Sequence, residues 1–389
     1  MDLNTILQTA LKLRASDVHL KVGLPPILRV DGNLAPLREA ERLGPEALTA
    51  FVNQVMTEPR MRERFEQAHE IDLAYSVAGM GRFRINIFQQ RSTYAMVMRA
   101  IPVTVPNIKD LNLPPVVEKI SAERRGLVLV TGTTGSGKST TLASMIDYIN
   151  TSRTCHIVTI EDPIEFLHRD KRSIINQREI GIDTHSFPTA LKMALRQDPN
   201  VILVGEMRDI ETIETALLAA ETGHLVMSTL HTVDATETIN RIVTVFPPHQ
   251  QHHVRLQLAA VLKGVISQRL VPRADGGGRV PAVEVLVATA RIRDCIANPE
   301  KTREIPAAIA AGVSSYGMQT FDQSLMFLLS KGFITYEEAL KQCTNRDDFL
   351  LKLKGISSTS DLKWDAFERG EGEEEQPGGE PPSVEVERF

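Results

Sequence analysis

The sequence predicts an α/β protein in three parts: a small α+β domain, a domain built on a mostly parallel sheet, and a helical C-terminal part. Two observations carry this. Between about residues 116 and 270, short apolar runs rich in β-branched residues alternate with helical patterns, as in a parallel sheet flanked by helices. Upstream, period-two stretches are mixed with amphipathic helices, and Pro102, Pro106, Pro114 and Pro115 separate the two regions. A chain of 389 residues, 42% of them hydrophobic, has room for two to three packed domains.

Residues 1–101 form the first unit. Leu3–Leu13 reads as a helix with Leu3, Ile6, Leu7 and Leu11 on one side. Val18, Leu20 and Val22 alternate with polar residues as in a half-buried strand. Ile27–Val30 is a second strand, and Asp31-Gly32 is a hairpin-type turn. Pro45–Val55 and Arg60–Gln67 read as helices, followed by strands at Ile71–Ser76, Arg82–Phe88 and Tyr94–Ile101. The prolines place an interdomain linker at 102–115. In 116–355, strands are expected near 127–131, 156–160, 201–204, 225–230, 266–271 and 280–287, with helices over 288–353. Residues 356–389 include EGEEEQPGGEPP and are expected to be a disordered acidic tail.

Net charge is −5, unevenly spread. Asp365–Phe389 holds nine acids and two arginines, so it carries −7 and the rest +2. A near-neutral body without a basic stripe argues against nucleic acid as partner. No apolar stretch is long enough to span a membrane. The first residues lack a signal peptide's basic start and cleavage site, which leads us to expect a cytosolic protein. Cys155, Cys295 and Cys343 are far apart and form neither a disulfide framework nor a zinc motif.

The chemistry centres on GTTGSGKST: Gly132, Thr133, Thr134, Gly135, Ser136, Gly137, Lys138, Ser139 and Thr140. It fits the phosphate-binding loop G-x-x-x-x-G-K-[ST], placed between the apolar run GLVLVT and a helix pattern. The glycines let successive N–H groups point at phosphate oxygens, and the helix dipole favours the same charge. Lys138 can reach the β- and γ-phosphates, and the Ser139 hydroxyl can ligate Mg²⁺.

Val201–Val204 is an apolar strand followed by Gly205-Glu206, a Walker B arrangement in which Glu206 holds the Mg²⁺ shell or polarises water. Another strand ends in Glu161-Asp162-Pro163-Ile164-Glu165. Three carboxylates there suit a metal-nucleotide site, in which one accepts a proton from water; the other reading is a solvated turn broken by Pro163. His231 closes the segment Thr229-Leu230-His231-Thr232 at a strand end, where it could sense the γ-phosphate; a lone histidine is more often structural.

Taken together, these motifs resemble the type IV pilus retraction ATPases, the PilT/PilU family of the secretion-ATPase superfamily. The likeness runs from about residue 1 to 355. TIEDPIEF is similar to the family's Asp box, LRQDPNVILVGEMRD to its Walker B, and ETGHLVMSTLHT to its His box; ASDVHL and GMQTFDQSL also fit. The resemblance implies a PAS-like N-terminal domain joined to a RecA-like P-loop ATPase domain. It implies ATP as the nucleotide, which the loop alone does not separate from GTP, and a homohexameric motor. It implies pilin depolymerisation and twitching motility, with an inner-membrane platform protein and a paralogous retraction ATPase as partners at the cytoplasmic face. It places Glu165 as the catalytic glutamate and Arg84 and Arg99 as arginines supplied to the nucleotide, with Arg269 as a further one.

Val233–Gln268 contains no cysteine, whereas assembly and secretion ATPases usually carry a tetracysteine zinc module there and longer N-terminal regions. EMRD and LHTVDA resemble PilT, while FQQR and the acidic tail resemble PilU; the balance favours PilT. Arg291–Ile296 (RIRDCI) departs from the family's AIRNLI-type motif. The alternatives are a pilus-assembly or secretion ATPase, a nucleotide-dependent switch, and a DNA motor.

Overall fold

The computed structural model describes residues 1–353 apart from Asp31 and Glu39; the expected acidic tail lies outside the described residues. The first unit comprises α1 (Leu3–Lys12), β1 (Asp17–Lys21), β2 (Ile27–Val30), β3 (Asn33–Pro36), α2 (Pro45–Val55), α3 (Pro59–Ala68), β4 (Glu70–Val77), β5 (Gly81–Gln90) and β6 (Thr93–Ile101). Asp2 caps α1 by accepting a hydrogen bond from Thr5 N at 2.9 Å. Leu3, Ile6, Leu7 and Ala10 line its buried stripe at helical spacing. The six strands pair antiparallel in the order β3-β2-β1-β6-β5-β4. One face packs on α1–α3 through Leu48, Phe51, Ile85 and Met98, the helix-covered α+β layer expected from the sequence.

The second unit comprises α4 (Val116–Ser121), β7 (Gly126–Thr131), α5 (Lys138–Ser152), β8 (His156–Glu161), β9 (Ile174–Glu179), α6 (Phe187–Ala194), β10 (Val201–Val204), α7 (Ile210–Glu221), β11 (Leu225–Leu230), α8 (Ala235–Thr244), α9 (Pro248–Val261), β12 (Leu262–Pro272) and β13 (Arg279–Val287). Its seven strands run β13-β12-β7-β11-β10-β8-β9, parallel except for the β12–β13 pair. Alternation sends Leu127 and Leu129 into the core beneath α6–α9, and Val128 and Val130 into the core beneath α4 and α5. A sheet covered on both faces needs continuously apolar strands, which is why β7, β10 and β11 were legible. Helices α10 (Ala290–Ala297), α11 (Ile305–Ala311), α12 (Val313–Tyr316), α13 (Phe321–Ser330), α14 (Tyr336–Gln342) and α15 (Arg346–Leu353) follow. Of these, α13–α15 bury Leu325, Leu328, Ala339 and Phe349 with Val271, Val280 and Ala282 of β12 and β13.

Two features differ from the sequence reading. β9 is an additional edge strand, half exposed and carrying Asn176, Gln177, Arg178 and Glu179, so it lacks an apolar run. β12 begins at Leu262, four residues before the expected start. A register shift between Leu262 and Gly264 explains it: a Cβ on Gly264 would lie 2.9 Å from Ile120 Cδ1, so the strand needs glycine where its apolar pattern breaks. The segment 102–115 is not free along its length. Ile108 and Leu113 are buried in the core beneath α5, and Ser144 Oγ donates to Pro106 O at 2.7 Å.

Candidate functional site: a nucleotide cleft at the carboxyl ends of the parallel strands

Parallel pairing places the ends of β7, β8, β10 and β11 along one edge, where ligands bind in open α/β sheets. Val204 pairs with both Ile160 and Ser228, and Thr131 with Leu230. This register gathers Gly132–Thr140, Glu161–Glu165, Glu206 and His231. Thr229 Oγ1 donates to Gly205 O at 2.7 Å, tying two of the strand ends together.

A cleft of about 790 Å³ opens there between the two units. Lys138, Ser139, Glu165, Glu206 and His231 line it from the second unit, and Arg99 from the first. The loop itself is tightly built. Gly132, Gly135 and Gly137 have φ of 141°, 78° and 92°. A Cβ on Gly132 would strike Gln268 O and lie 2.6 Å from Ser136 Oγ. Lys138 is buried, and its Nζ donates to Gly132 O at 2.8 Å and Thr133 O at 3.0 Å. Burial lowers its pKa, while the Glu206 carboxylate pulls it back up.

Glu206 sits at the centre. Arg208 Nε lies 2.7 Å from Glu206 Oε2, and His231 Nε2 lies 3.5 Å from the same oxygen. Arg208, within EMRD, carries no local signal of a role; it lines the cleft as the partner of Glu206. Glu165 is exposed on the loop that follows β8. Glu161 is set deeper; burial raises its pKa, opposed by hydrogen bonds from Thr159 Oγ1 at 2.6 Å and Gln177 Nε2 at 3.1 Å. Burial also pulls His168 down to about 4, so its ring is neutral at physiological pH.

The three arginines are placed differently from one another. Arg99 Nε donates to Asp17 Oδ1 at 2.8 Å, yet its side chain is 67% exposed and faces the cleft. Arg84 is its cross-strand neighbour on β5, exposed and outside the residues that line the cleft. Arg269 is turned toward the helical part: Nη1 donates to Gln342 O at 2.7 Å, and the guanidinium lies 4.0 Å from the Phe321 ring centroid. It borders Gly132–Ser136 from a separate, smaller cavity of about 220 Å³. The structure therefore brings Arg99 to the cleft directly and leaves Arg84 and Arg269 apart from it.

Two polar atoms beside the loop, Ser136 Oγ and Gln268 Oε1, are buried without a hydrogen-bond partner among the described residues. The glycine-built loop, the helix N-terminus and a lysine bound only to carbonyls form a cradle that fits a nucleotide's phosphates, with the Ser136 hydroxyl as a spare donor; Gln268 Oε1 is an acceptor and takes no part in it. Ser139 and Glu206 face the same cleft, hard oxygen donors of the kind that hold Mg²⁺ together with phosphate. No helix among the described residues is long and apolar enough to cross a membrane.

Residues 1–316 match the family described as type II/IV secretion system protein. The chain is 46% identical over 354 residues to the type IV pilus retraction ATPase PilT of Pseudomonas aeruginosa, covering 90% of this chain and 100% of that protein. It is 41% identical over 361 residues to the type IV pilus ATPase PilU of the same organism, covering 93% of each. A solved structure of the pilus retraction motor PilT with bound ADP superposes with a TM-score of 0.82 at 46% identity, covering 90% of this chain and 98% of that one. The chain belongs to the type II/IV secretion system protein family and, within it, to the PilT/PilU group of P-loop ATPases.

Proposed function

We propose that this chain is the motor ATPase of a homohexamer that powers type IV pilus retraction, and with it twitching motility, from the cytoplasmic face of the inner membrane. The observation that carries the proposal is the single cleft that unites the phosphate loop, the two carboxylates and Arg99 of the other unit. The higher identity to PilT than to PilU favours the primary retraction motor over its paralogue. The RIRDCI departure falls on α10, which buries Ile292, Cys295 and Ile296 and exposes Arg291, Arg293 and Asp294.

In this account the N–H groups at the start of α5 and the Lys138 ammonium bind the phosphates of ATP, and Ser139 and Glu206 hold Mg²⁺. Mg²⁺ held there by Ser139 and Glu206 would supply positive charge against the phosphates. Glu165 takes a proton from the attacking water as its oxygen bonds to the γ-phosphorus and the bridging P–O bond to ADP breaks. Glu206, held by Arg208, fixes the water and ion shell, and His231 reports phosphate occupancy through Glu206. Arg99 leaves Asp17 for the phosphates, which makes hydrolysis sensitive to the angle between the units. That angle changes ahead of the Pro106 carbonyl that Ser144 holds, with the Leu167 N–Pro102 O bond breaking as it does. The inner-membrane platform protein and a paralogous ATPase are the partners of the assembled ring.

Phosphate release by the purified full chain tests the assignment. Lys138→Ala and Glu165→Gln should each lower turnover by at least about 10²-fold, and removal of Mg²⁺ by a chelator should abolish it. Robust turnover by either variant contradicts it.

A further inference from the structure

Glu165 is exposed on a loop, yet a general base must be held to within a fraction of an ångström of its water. Its carboxylate accepts no hydrogen bond among the described residues, and its backbone N lies only at the limit of bonding, 3.5 Å from Glu161 Oε2. The loop is bridged across Glu165 by one side chain of the edge strand β9, in addition to the buried Ile164 within it. Gln177 Oε1 accepts from His168 N at 2.8 Å, and its Nε2 donates to Phe166 O at 2.9 Å and to Glu161 Oε1 at 3.1 Å. Those three bonds close around Glu165 from both sides, and both ends of the carboxamide are used. The geometry points to Gln177 as the positioning residue of the hydrolysis step, a clamp that holds the Glu161–His168 loop so that Glu165 meets its water.

Two further contacts place the clamp at the junction of the units. Leu167 N, inside the clamped loop, donates to Pro102 O at 3.0 Å, and Pro102 directly follows β6. Two residues along β9 from Gln177, on the same face, Glu179 pairs with Arg82 of β5 at 3.0 Å, with both side chains largely buried. Gln177 thus lies between the loop that carries Glu165 and the surface on which the N-terminal unit rests.

The inference rests on Glu165 as the base, so Glu165→Gln is measured alongside. Gln177→Ala removes all three bonds. Its kcat for ATP should fall about 10²-fold, while KM and the affinity for a fluorescent ATP analogue stay within about threefold. Gln177→Glu keeps the side-chain length and the acceptor toward His168 N but loses the donor toward Phe166 O and Glu161. Its kcat should be low at pH 8 and recover toward that of the parent, compared at the same pH, as acidification returns a proton to the paired carboxyls. An active Glu165→Gln variant overturns both the base and the clamp. An inactive Glu165→Gln with unchanged kcat in both Gln177 variants overturns the clamp alone. Equal losses in kcat and nucleotide affinity would also overturn it, because they would mark a general structural role.

Discussion

Lys138 folds back onto the carbonyls of its own loop, in which Gly132 takes a backbone conformation that side chains disfavour. At φ 141° a side chain is strained, and a Cβ there meets the carbonyl of Gln268 on the neighbouring strand. Gly132→Ala is therefore expected to lower ATP affinity by at least about tenfold, read by titration with a fluorescent analogue. A second residue carries a pH signature. Glu284 on β13 accepts a hydrogen bond from Ala235 N at 2.8 Å; burial, helped by Asp234 and Asp322, outweighs that bond and Arg269 and pushes its pKa from 4.5 up to about 7. A carboxyl with a raised folded-state pKa binds more protons folded than unfolded between those two values. Its contribution is full below pH 4.5 and is lost as pH rises through about 7. Glu284→Gln keeps the acceptor without the charge. It should therefore gain stability relative to the parent as pH rises from 4.5 to 8, by roughly 3 kcal/mol at the top of that window. Parallel denaturant titrations at pH 5 and pH 8 check it; an equal difference at both contradicts it.

Elements differ in how much of their role is written locally. The phosphate loop, β7, β10 and β11 were legible because each is specified by contiguous residues: a glycine spacing, or an apolar run buried on both faces. β9 was not, because its polar residues acquire meaning only once it pairs with β8 and sets Thr159 against Gln177 and Glu161 against Glu179. The fates of Arg84, Arg99 and Arg269 were likewise hidden, since each depends on what a strand far away in sequence places opposite it. The segment 102–115 shows a different limit. Its prolines announce a chain without helix or strand, but not that Ile108 and Leu113 would be buried beneath α5. Leu113→Ala should accordingly destabilise the ATPase domain by about 2–5 kcal/mol, read by chemical denaturation of the full chain. A change below about 0.5 kcal/mol would show that this stretch is a free tether.

At the scale of the molecule, the cleft is shared. Its phosphate end belongs to the parallel sheet, and Arg99 lines it from the antiparallel one; under the proposed mechanism the position of the N-terminal unit and the state of the nucleotide bias each other. The Arg82–Glu179 pair makes a largely buried bond across the same junction. Such coupling lets a ring turn hydrolysis into motion, and light scattering of the ATP-bound Glu165→Gln chain is expected to report six copies. The direction of the work is the central claim, and it is decided in the native host. Lys138→Ala is introduced at the chromosomal locus, and surface pili are counted by electron microscopy alongside surface motility. Abundant pili with lost motility are the predicted result, because filaments that still assemble no longer retract. Bald cells would contradict the account and make this chain an assembly motor.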